Sequence, residues 1–420
     1  MTYEQALKYI SSLESRGWKL GMERTAEFVN RLGLVPFLRG PERPKYIHIA
    51  GTNGKGSTTA YVQHAAHAAG LRTGAFFSPF VVDPRERVQF GLELIPKDEF
   101  ARITALIKAT VDEMDTTEFG GVTEFELKTA IGFWYWQERQ CELVSLEVGL
   151  GGRLDSTNVV DPACAIIVSI GMDHMHILGD TLELIAREKA GIIKPGRPLV
   201  LGETPPEARA AILEVARENS AEVWEFGHEI RLEGETLMTP AGSYGPVRPG
   251  LFGAKQPHNA ALAIAALQLA GVPTTEDLLR GISTAFAPGR FQTATIEGKT
   301  VVFDGAHNVD SALVLRQSLD QRFGDRKYAL VTSMLRGHEA QPFYESFLGP
   351  CKRAEVAPLD NPRARSTEEI AAEVVALGIS ATPHASLEQA MAAALDGPED
   401  LVVVTGSFYL VGDAISRFVA

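Results

Sequence analysis

The sequence predicts an α/β protein in two parts: a larger N-terminal domain on a mostly parallel sheet, then a smaller α/β domain. Three observations carry this expectation. From KYIHIA (45–50) onward, short apolar runs alternate with helical stretches, the pattern of βαβ units whose sheet is covered on both faces. The alternation restarts after Pro288-Gly289-Arg290. At roughly 100–200 residues per domain, 420 residues suggest two or three domains, and 45% hydrophobic with 22% charged residues suits packed cores.

The elements follow in order. The first 35 residues or so read as two helices, with Ala6, Leu7, Ile10 and Leu13 on one face, then Phe28, Val29 and Leu32, and a turn at Gly17-Trp18 between. KYIHIA (45–50), RTGAFF (72–77), LVSLEV (143–148) and ACAIIVSI (163–170) are strand candidates. Helices are expected through Tyr61–Ala69 and near 97–112, 123–139 and 181–190. Residues 222–250 suggest a small antiparallel excursion. TVVFDG (300–305), YALVTS (328–333), AEVAPL (354–359) and LVVVTG (401–406) read as the second series of strands. Phe286–Gln292 is the linker candidate, so the domains are placed at 1–287 and 288–420.

With 40 Lys+Arg against 53 Asp+Glu, the net charge of −13 argues against wrapping nucleic acid or lying on an anionic membrane. Cys141, Cys164 and Cys351 stand at no metal-ligand spacing and read as buried free thiols. The opening MTYEQALKYI shows no signal-peptide pattern, and the apolar stretch Ala260–Ala270 is interrupted by Gln268, far short of the ~18–20 residues of a membrane span. A soluble cytoplasmic protein is expected.

The sharpest local signal is Ala50-Gly51-Thr52-Asn53-Gly54-Lys55-Gly56-Ser57-Thr58, after a strand and opening a helix. Glycines let successive N–H groups face phosphate oxygens, and the helix N-terminus adds partial positive charge. Lys55 can reach outer phosphates, and Ser57 or Thr58 can offer a hydroxyl to Mg²⁺. The strict Walker spacing is not met, because Ile49 replaces its first glycine and Gly56 separates Lys55 from Ser57.

Three further clusters follow strands or helices. Glu147 ends LVSLEV and leads into Gly149, Gly151, Gly152, Arg153 and Asp155, at the strand edge that opens onto a ligand crevice. A loop-capping acid is the plainer reading of Glu147. Asp173-His174 ends the next strand, and His174 is a metal-ligand candidate beside the plainer structural one. On residue physics alone, Glu188-Lys189 reads as a solvated charge pair.

In this order, the segments resemble the folylpolyglutamate synthase/dihydrofolate synthase family of Mur-type amide ligases. The resemblance covers essentially the whole chain: KLGMERTAEFVNRLG, HIAGTNGKGST, FFSPF, ERV, TEFEL, LEVGLGGRLDSTN, DH, REKAGIIK, NAALAI, PGRFQ, FDGAHN and TGSFYLVGD. It implies a P-loop-type ATPase domain joined to a Rossmann-like C-terminal domain. The implied activity is ATP-dependent addition of L-glutamate to folate or dihydropteroate, through an acyl phosphate.

The resemblance also implies residue roles. Lys189 would be carbamylated, and with Ser57, Ser78, Glu147 and His174 would hold Mg²⁺; Lys55, Glu147, His174 and Lys189 form the catalytic set. Thr52 through Thr58, Asn259, Arg290, Asp304 and His307 would contact ATP. Phe80, Arg87, Phe125, Arg153, Asp155 and Ser407 are substrate-side candidates, with core packing for Phe80 and Phe125, loop bracing for Arg87 and helix capping for Ser407 as the bland alternatives. A monovalent cation is left open, and a monomer is implied.

Three segments depart from the family pattern. Val309 follows DGAHN in place of proline, Ala254-Lys255-Gln256 stands for Gly-His-Gln, and Ser333–Glu339 replaces an Asp-Lys-Asp run. The alternatives are another Mur-type amino-acid ligase and a nucleotide-binding regulator that has lost ligase chemistry.

Overall fold

The computed structural model describes residues 1–13, 16 and 21–419, the side chain of His176 aside, so the turn expected at Gly17-Trp18 lies outside the described residues. The chain divides into two compact units. One comprises Met1–Phe80, Pro84–Gly250 and Pro257–Phe286; the other comprises Val81–Asp83, Leu251–Gln256 and Ala287–Ala420.

The first unit opens with helices α1 (Tyr3–Ser12), α2 (Met22–Arg31) and α3 (Val35–Arg39). Thr2 and Gln5 form a reciprocal capping box at the start of α1, which satisfies two otherwise orphaned N–H groups. There follow β1 (Lys45–Ala50), α4 (Lys55–Ala68), β2 (Thr73–Phe76), β3 (Val88–Phe90), β4 (Glu93–Leu94), α5 (Lys97–Met114), α6 (Glu124–Glu138) and β5 (Leu143–Glu147). Then come β6 (Cys164–Ile167), α7 (Met175–Leu178), α8 (Leu182–Ala190), β7 (Leu199–Leu201), α9 (Pro206–Glu218) and β8 (Val223–Glu225).

These eight strands form one sheet in the order β4-β3-β2-β5-β1-β6-β7-β8. From β2 to β8 all neighbours are parallel, and only the β2–β3 and β3–β4 pairings are antiparallel. In β1 every residue after Lys45 is buried, which is why KYIHIA reads as a continuous apolar run rather than an alternation. Ile47 and Ile49 are fully buried, each worth roughly 1.5–3 kcal/mol of transfer free energy.

The antiparallel excursion is smaller than expected. Val223–Glu225 pairs parallel with β7, and only β9 (Arg231–Glu233), β10 (Thr236–Thr239) and β11 (Gly242–Tyr244) form the separate three-stranded sheet. Three residues are too few to display a strand period, so β8 was indistinguishable from the excursion. Helices α10 (Gln256–Leu269) and α11 (Glu276–Ser283) complete the unit's elements. The apolar stretch expected around residue 260 lies in α10, where His258 through Leu267 are all buried. No helix among the described residues is long and apolar enough to cross a membrane.

The second unit contains β12 (Gln292–Ile296), β13 (Lys299–Phe303), α12 (Val309–Phe323), β14 (Tyr328–Thr332), α13 (Ala340–Glu345), β15 (Cys351–Val356), α14 (Thr367–Ala376), β16 (Ser380–Pro383), α15 (Leu387–Asp396), β17 (Leu401–Thr405) and α16 (Phe408–Phe418). Its sheet runs β12-β13-β17-β14-β15-β16, parallel except for the β12–β13 hairpin. Val81 belongs here because α16 receives it at Gly412, where a Cβ would stand 1.7 Å from the Val81 carbonyl oxygen. All three cysteines are free and buried.

Candidate active site

Four adjacent parallel strands, β2, β5, β1 and β6, end at one edge of the first unit's sheet. They deliver Ser78, Glu147, the Gly51–Thr58 loop and the Ser169–His174 segment. The loop is stitched to the exit of β6. Thr52 N donates to Ser169 O at 2.8 Å, and Thr52 Oγ1 accepts from Gly171 N at 3.0 Å. Asn53 N donates to Ser169 Oγ at 3.1 Å, and that hydroxyl donates back to Asn53 O at 2.9 Å.

Gly54 precedes α4 at φ +84, and a Cβ there would meet Val168 Cγ1 at 2.8 Å and Asn259 Oδ1 at 3.0 Å. The loop therefore needs glycine, and α10 places Asn259 directly against it. Lys55, Gly56, Ser57 and Thr58 form the first turn of α4, whose N–H groups have no intrahelical acceptor. Thr58 Oγ1 donates to Gly54 O at 3.0 Å, engaging it with its own helix. Lys55 Nζ donates to Gly51 O at 2.9 Å and Thr52 O at 3.1 Å.

Lys189 is not half of a solvated pair. Ile185, Ala186, Lys189 and Ala190 make the buried face of α8, and Lys189 is only 4% exposed. Its Nζ donates to Gly51 O at 3.1 Å. Burial, then the charge of Lys55, pulls its amine down to about 7, against the opposing pull of Asp173 and Asp155. Glu188 points elsewhere and takes Arg153 Nε and Nη2 at 3.1 and 2.6 Å.

Glu147 is 2% exposed and its Oε2 accepts the Ser78 N–H at 2.9 Å, beside a cis Ser78-Pro79 peptide bond. Arg87 Nη1 donates to Ser78 Oγ at 3.1 Å. The guanidinium carbon lies 5.6 Å from the Phe80 ring centre and 5.9 Å from that of Phe125. Phe125 also packs edge-on against Phe76 at 5.9 Å. A Cβ on Gly149 would stand 2.3 Å from the Phe125 ring, so the loop after Glu147 presses on it.

Asp155 is buried and turned into its own loop. Its Oδ2 accepts Leu150 N at 2.8 Å, and its Oδ1 accepts Thr157 N at 2.9 Å and Thr157 Oγ1 at 2.5 Å. His174 sits at φ +50 with its N–H on Asp173 Oδ1 at 2.9 Å and its Nε2 3.8 Å from that oxygen.

Sequence reasoning missed the support beneath Phe125. Glu126, 4% exposed, accepts Arg24 Nε at 3.0 and 2.8 Å, Thr25 Oγ1 at 2.6 Å and Thr123 N at 2.8 Å. The readable signal was the capping box of Thr123 and Glu126.

In the second unit, Arg290 lies over the Phe408 ring at 4.1 Å. Asp304 accepts Phe291 N at 2.9 Å and Ala306 N at 3.0 Å. Burial raises its carboxyl to about 6, opposed chiefly by Arg290. His307 Nδ1 donates to Gly305 O at 2.8 Å, and its ring meets His338 at 5.3 Å and Phe408 at 5.7 Å. Ser407 is buried and caps α16, accepting Tyr409 N at 3.2 Å.

Residues 289–408 match the family model described as Mur ligase, glutamate ligase domain. A glycine-rich loop that opens a helix at the end of a parallel sheet, followed by that domain, defines a Mur-type ligase. The chain is 34% identical to the dihydrofolate synthase/folylpolyglutamate synthase of Bacillus subtilis, over 99% of each chain. The structure of Escherichia coli FolC in complex with DHPP and ADP matches with a TM-score of 0.88 at 31% identity, covering 99% of this chain and 97% of that one. A bifunctional folylpolyglutamate synthase/dihydrofolate synthase with Mn, AMPPNP and L-glutamate bound matches with a TM-score of 0.86 at 30% identity, covering 99% and 98%. This chain belongs to the dihydrofolate synthase/folylpolyglutamate synthase family.

Proposed function

We propose that this protein is an ATP-dependent ligase that joins L-glutamate to a folate, and to dihydropteroate, through an acyl phosphate. The observation that carries the reading is the buried Lys189 amine, hydrogen-bonded to the same loop that presents Lys55 and the first turn of α4. A lysine is buried at such a place at a cost, and a carboxylated amine explains why it is kept.

The residues fit a hard divalent cation. Among the described residues, no three His, Cys, Asp or Glu side chains converge on a metal position. Mg²⁺ needs no such cage, because it binds through one or two protein oxygens with phosphate and water. Ser57, Ser78, Glu147, His174 and carbamylated Lys189 would hold one or two such ions between them. When bound, Mg²⁺ neutralises charge on the transferring phosphoryl group. Ser57, in the first turn of α4, would supply the hydroxyl oxygen.

Lys55 and the N–H groups of α4 would hold the phosphates while a substrate carboxylate oxygen attacks the γ-phosphorus and ADP leaves. The amine of glutamate then attacks the acyl carbon, loses a proton, and expels phosphate as the amide forms. Phe80, Phe125 and Arg87 form the wall assigned to the ring-bearing substrate. Arg153 and Asp155 shape the loop after Glu147. Asn259, Arg290, Asp304 and His307 are assigned to the nucleotide, and Ser407 to the glutamate side. The assigned halves of the chain are 1–287 for ATP, metal and folate, and 288–420 for glutamate and further nucleotide contacts. The enzyme is assigned to the cytoplasm as a monomer, which light scattering would check.

Mass spectrometry of products formed with Mg²⁺-ATP and glutamate tests the function, offering dihydropteroate and reduced folate monoglutamates separately. Glutamate addition to both is expected. Addition to neither, with no substrate-dependent ADP release, would leave a nucleotide-binding regulator.

A further inference from the structure

His48 is the fourth residue of β1 and its side chain is fully buried. Its Nε2 lies 2.9 Å from Thr157 Oγ1. Thr157 has a single hydroxyl proton, and it goes to Asp155 Oδ1 at 2.5 Å. His48 must therefore donate from Nε2, which leaves Nδ1 as an unprotonated acceptor. That Nδ1 meets no donor among the described residues. The chain of donors ends on Asp155, whose other oxygen accepts Leu150 N at 2.8 Å. Asp155 thus closes the glycine loop that begins two residues after Glu147.

We propose that His48, Thr157 and Asp155 form a buried relay that fixes the Gly149–Arg153 loop, with His48 and Thr157 as positioning residues for catalysis at Glu147. Asp155 accepts from Leu150 N through Oδ2 and from both donors of Thr157 through Oδ1, contacts that favour its carboxylate form. Burial raises its carboxyl, and the donors arrayed around it pull the other way. The hydroxyl of Thr157 is the donor that can be removed without touching the backbone, and His48 is what orients it. An imidazole with one unmet nitrogen, fully buried in the central strand, is a poor choice for packing, because an apolar side chain there would leave nothing unsatisfied. A role in holding the loop accounts for it.

The catalytic part of this inference rests on the proposed ligase reading; the structural part does not. The test uses the full-length protein with H48L, H48Q, T157V and T157S, alone and as the H48L/T157V pair. Hydrogen–deuterium exchange of the 148–155 segment is expected to quicken at least tenfold in H48L and T157V, and to stay near wild type in T157S. Thermal midpoints are expected unchanged or raised in H48L. With active enzyme, kcat falls at least tenfold in H48L and T157V while the KM for ATP holds, T157S and H48Q recover most of the loss, and the pair is no worse than T157V alone. Unchanged exchange in T157V overturns the relay even if no ligase substrate is found. Additive losses in the pair, or a kcat loss that follows the thermal midpoint across all variants, overturn the positioning role. A wild type inactive on every substrate, with exchange quickened as expected, counts against the ligase reading alone.

Discussion

Lys55 and Lys189 donate to one carbonyl oxygen, that of Gly51, at 2.9 and 3.1 Å. Two ammonium groups so close repel, and Lys189 is buried as well, so burial and then the charge of Lys55 pull the Lys189 amine down to about 7. A neutral amine can attack CO2; an ammonium cannot. The pairing therefore favours the neutral amine at Lys189, the form that the carbamylation proposed above requires.

The first prediction concerns Lys189. With its amine at about 7, the neutral form grows as pH rises through that value, so activation by added bicarbonate should rise between pH 6 and 8. K189A should lose at least ~100-fold in kcat, as for a group acting on the transferring phosphoryl, and small carboxylates should restore part of it. Unchanged turnover would refute the role. Because the folded pKa lies below the unfolded one, the unfolded chain binds more protons between about 7 and 10.5, and stability rises with pH there. K189M removes the buried amine and should gain on the order of 1–3 kcal/mol at neutral pH, measured by denaturant melts.

The second concerns Gly54. G54A forces a Cβ against Val168 and Asn259 and holds a non-glycine residue at φ +84, a strain of about 1–2 kcal/mol. Nucleotide affinity should fall ~10-fold or more, since the loop and Asn259 move together. Calorimetry with a non-hydrolysable ATP analogue reads it, and an unchanged Kd would detach Asn259 and this turn from the nucleotide.

Much of this site was legible because its strands are long and buried on both sides. KYIHIA became β1 at the expected residues, and LVVVTG became β17 with all five strand residues buried. The strands that escaped notice are short or lie at an edge: β3, β4 and β7 have two or three residues, β16 is an edge strand, and β12 is an edge hairpin strand with no buried residue. Helix α9 was not among the expected helices, although Pro206 at its start and Ala208, Ala211, Ile212 and Ala216 on one face mark it. The burial of Lys189 was not. Residue type alone makes a lysine solvated, and only its spacing of four from Ile185 hinted at the inner face. The relay from His48 to Asp155 joins positions over a hundred residues apart, which no local pattern reveals.

The third prediction concerns Asp304. Its carboxyl, raised to about 6 by burial, should give kcat/KM a one-proton limb that falls as pH drops through 6, and D304N should abolish that limb along with most activity. The folded state holds the proton more tightly than the unfolded chain between 3.8 and about 6, so this group's contribution to stability falls as pH rises across that window. A flat profile from pH 5 to 7 would remove Asp304 from the reaction.

Arg87 supplies the last. Its guanidinium reaches Phe80, Phe125 and Ser78 Oγ together, so it organises the wall whether or not it touches a ligand. Each cation–π contact is worth about 0.5–1 kcal/mol and the hydrogen bond about 1 kcal/mol. R87A should therefore raise the KM for the ring-bearing substrate by up to ~30–150-fold and leave the KM for ATP nearly unchanged. R87K keeps the charge but loses the planar group that faces both rings, so it should behave more like alanine than arginine. If R87K were to match wild type, a charge contact to a substrate carboxylate would replace ring alignment as the role of Arg87. If both variants raised the KM for ATP instead, the Ser78 loop would belong to the nucleotide side.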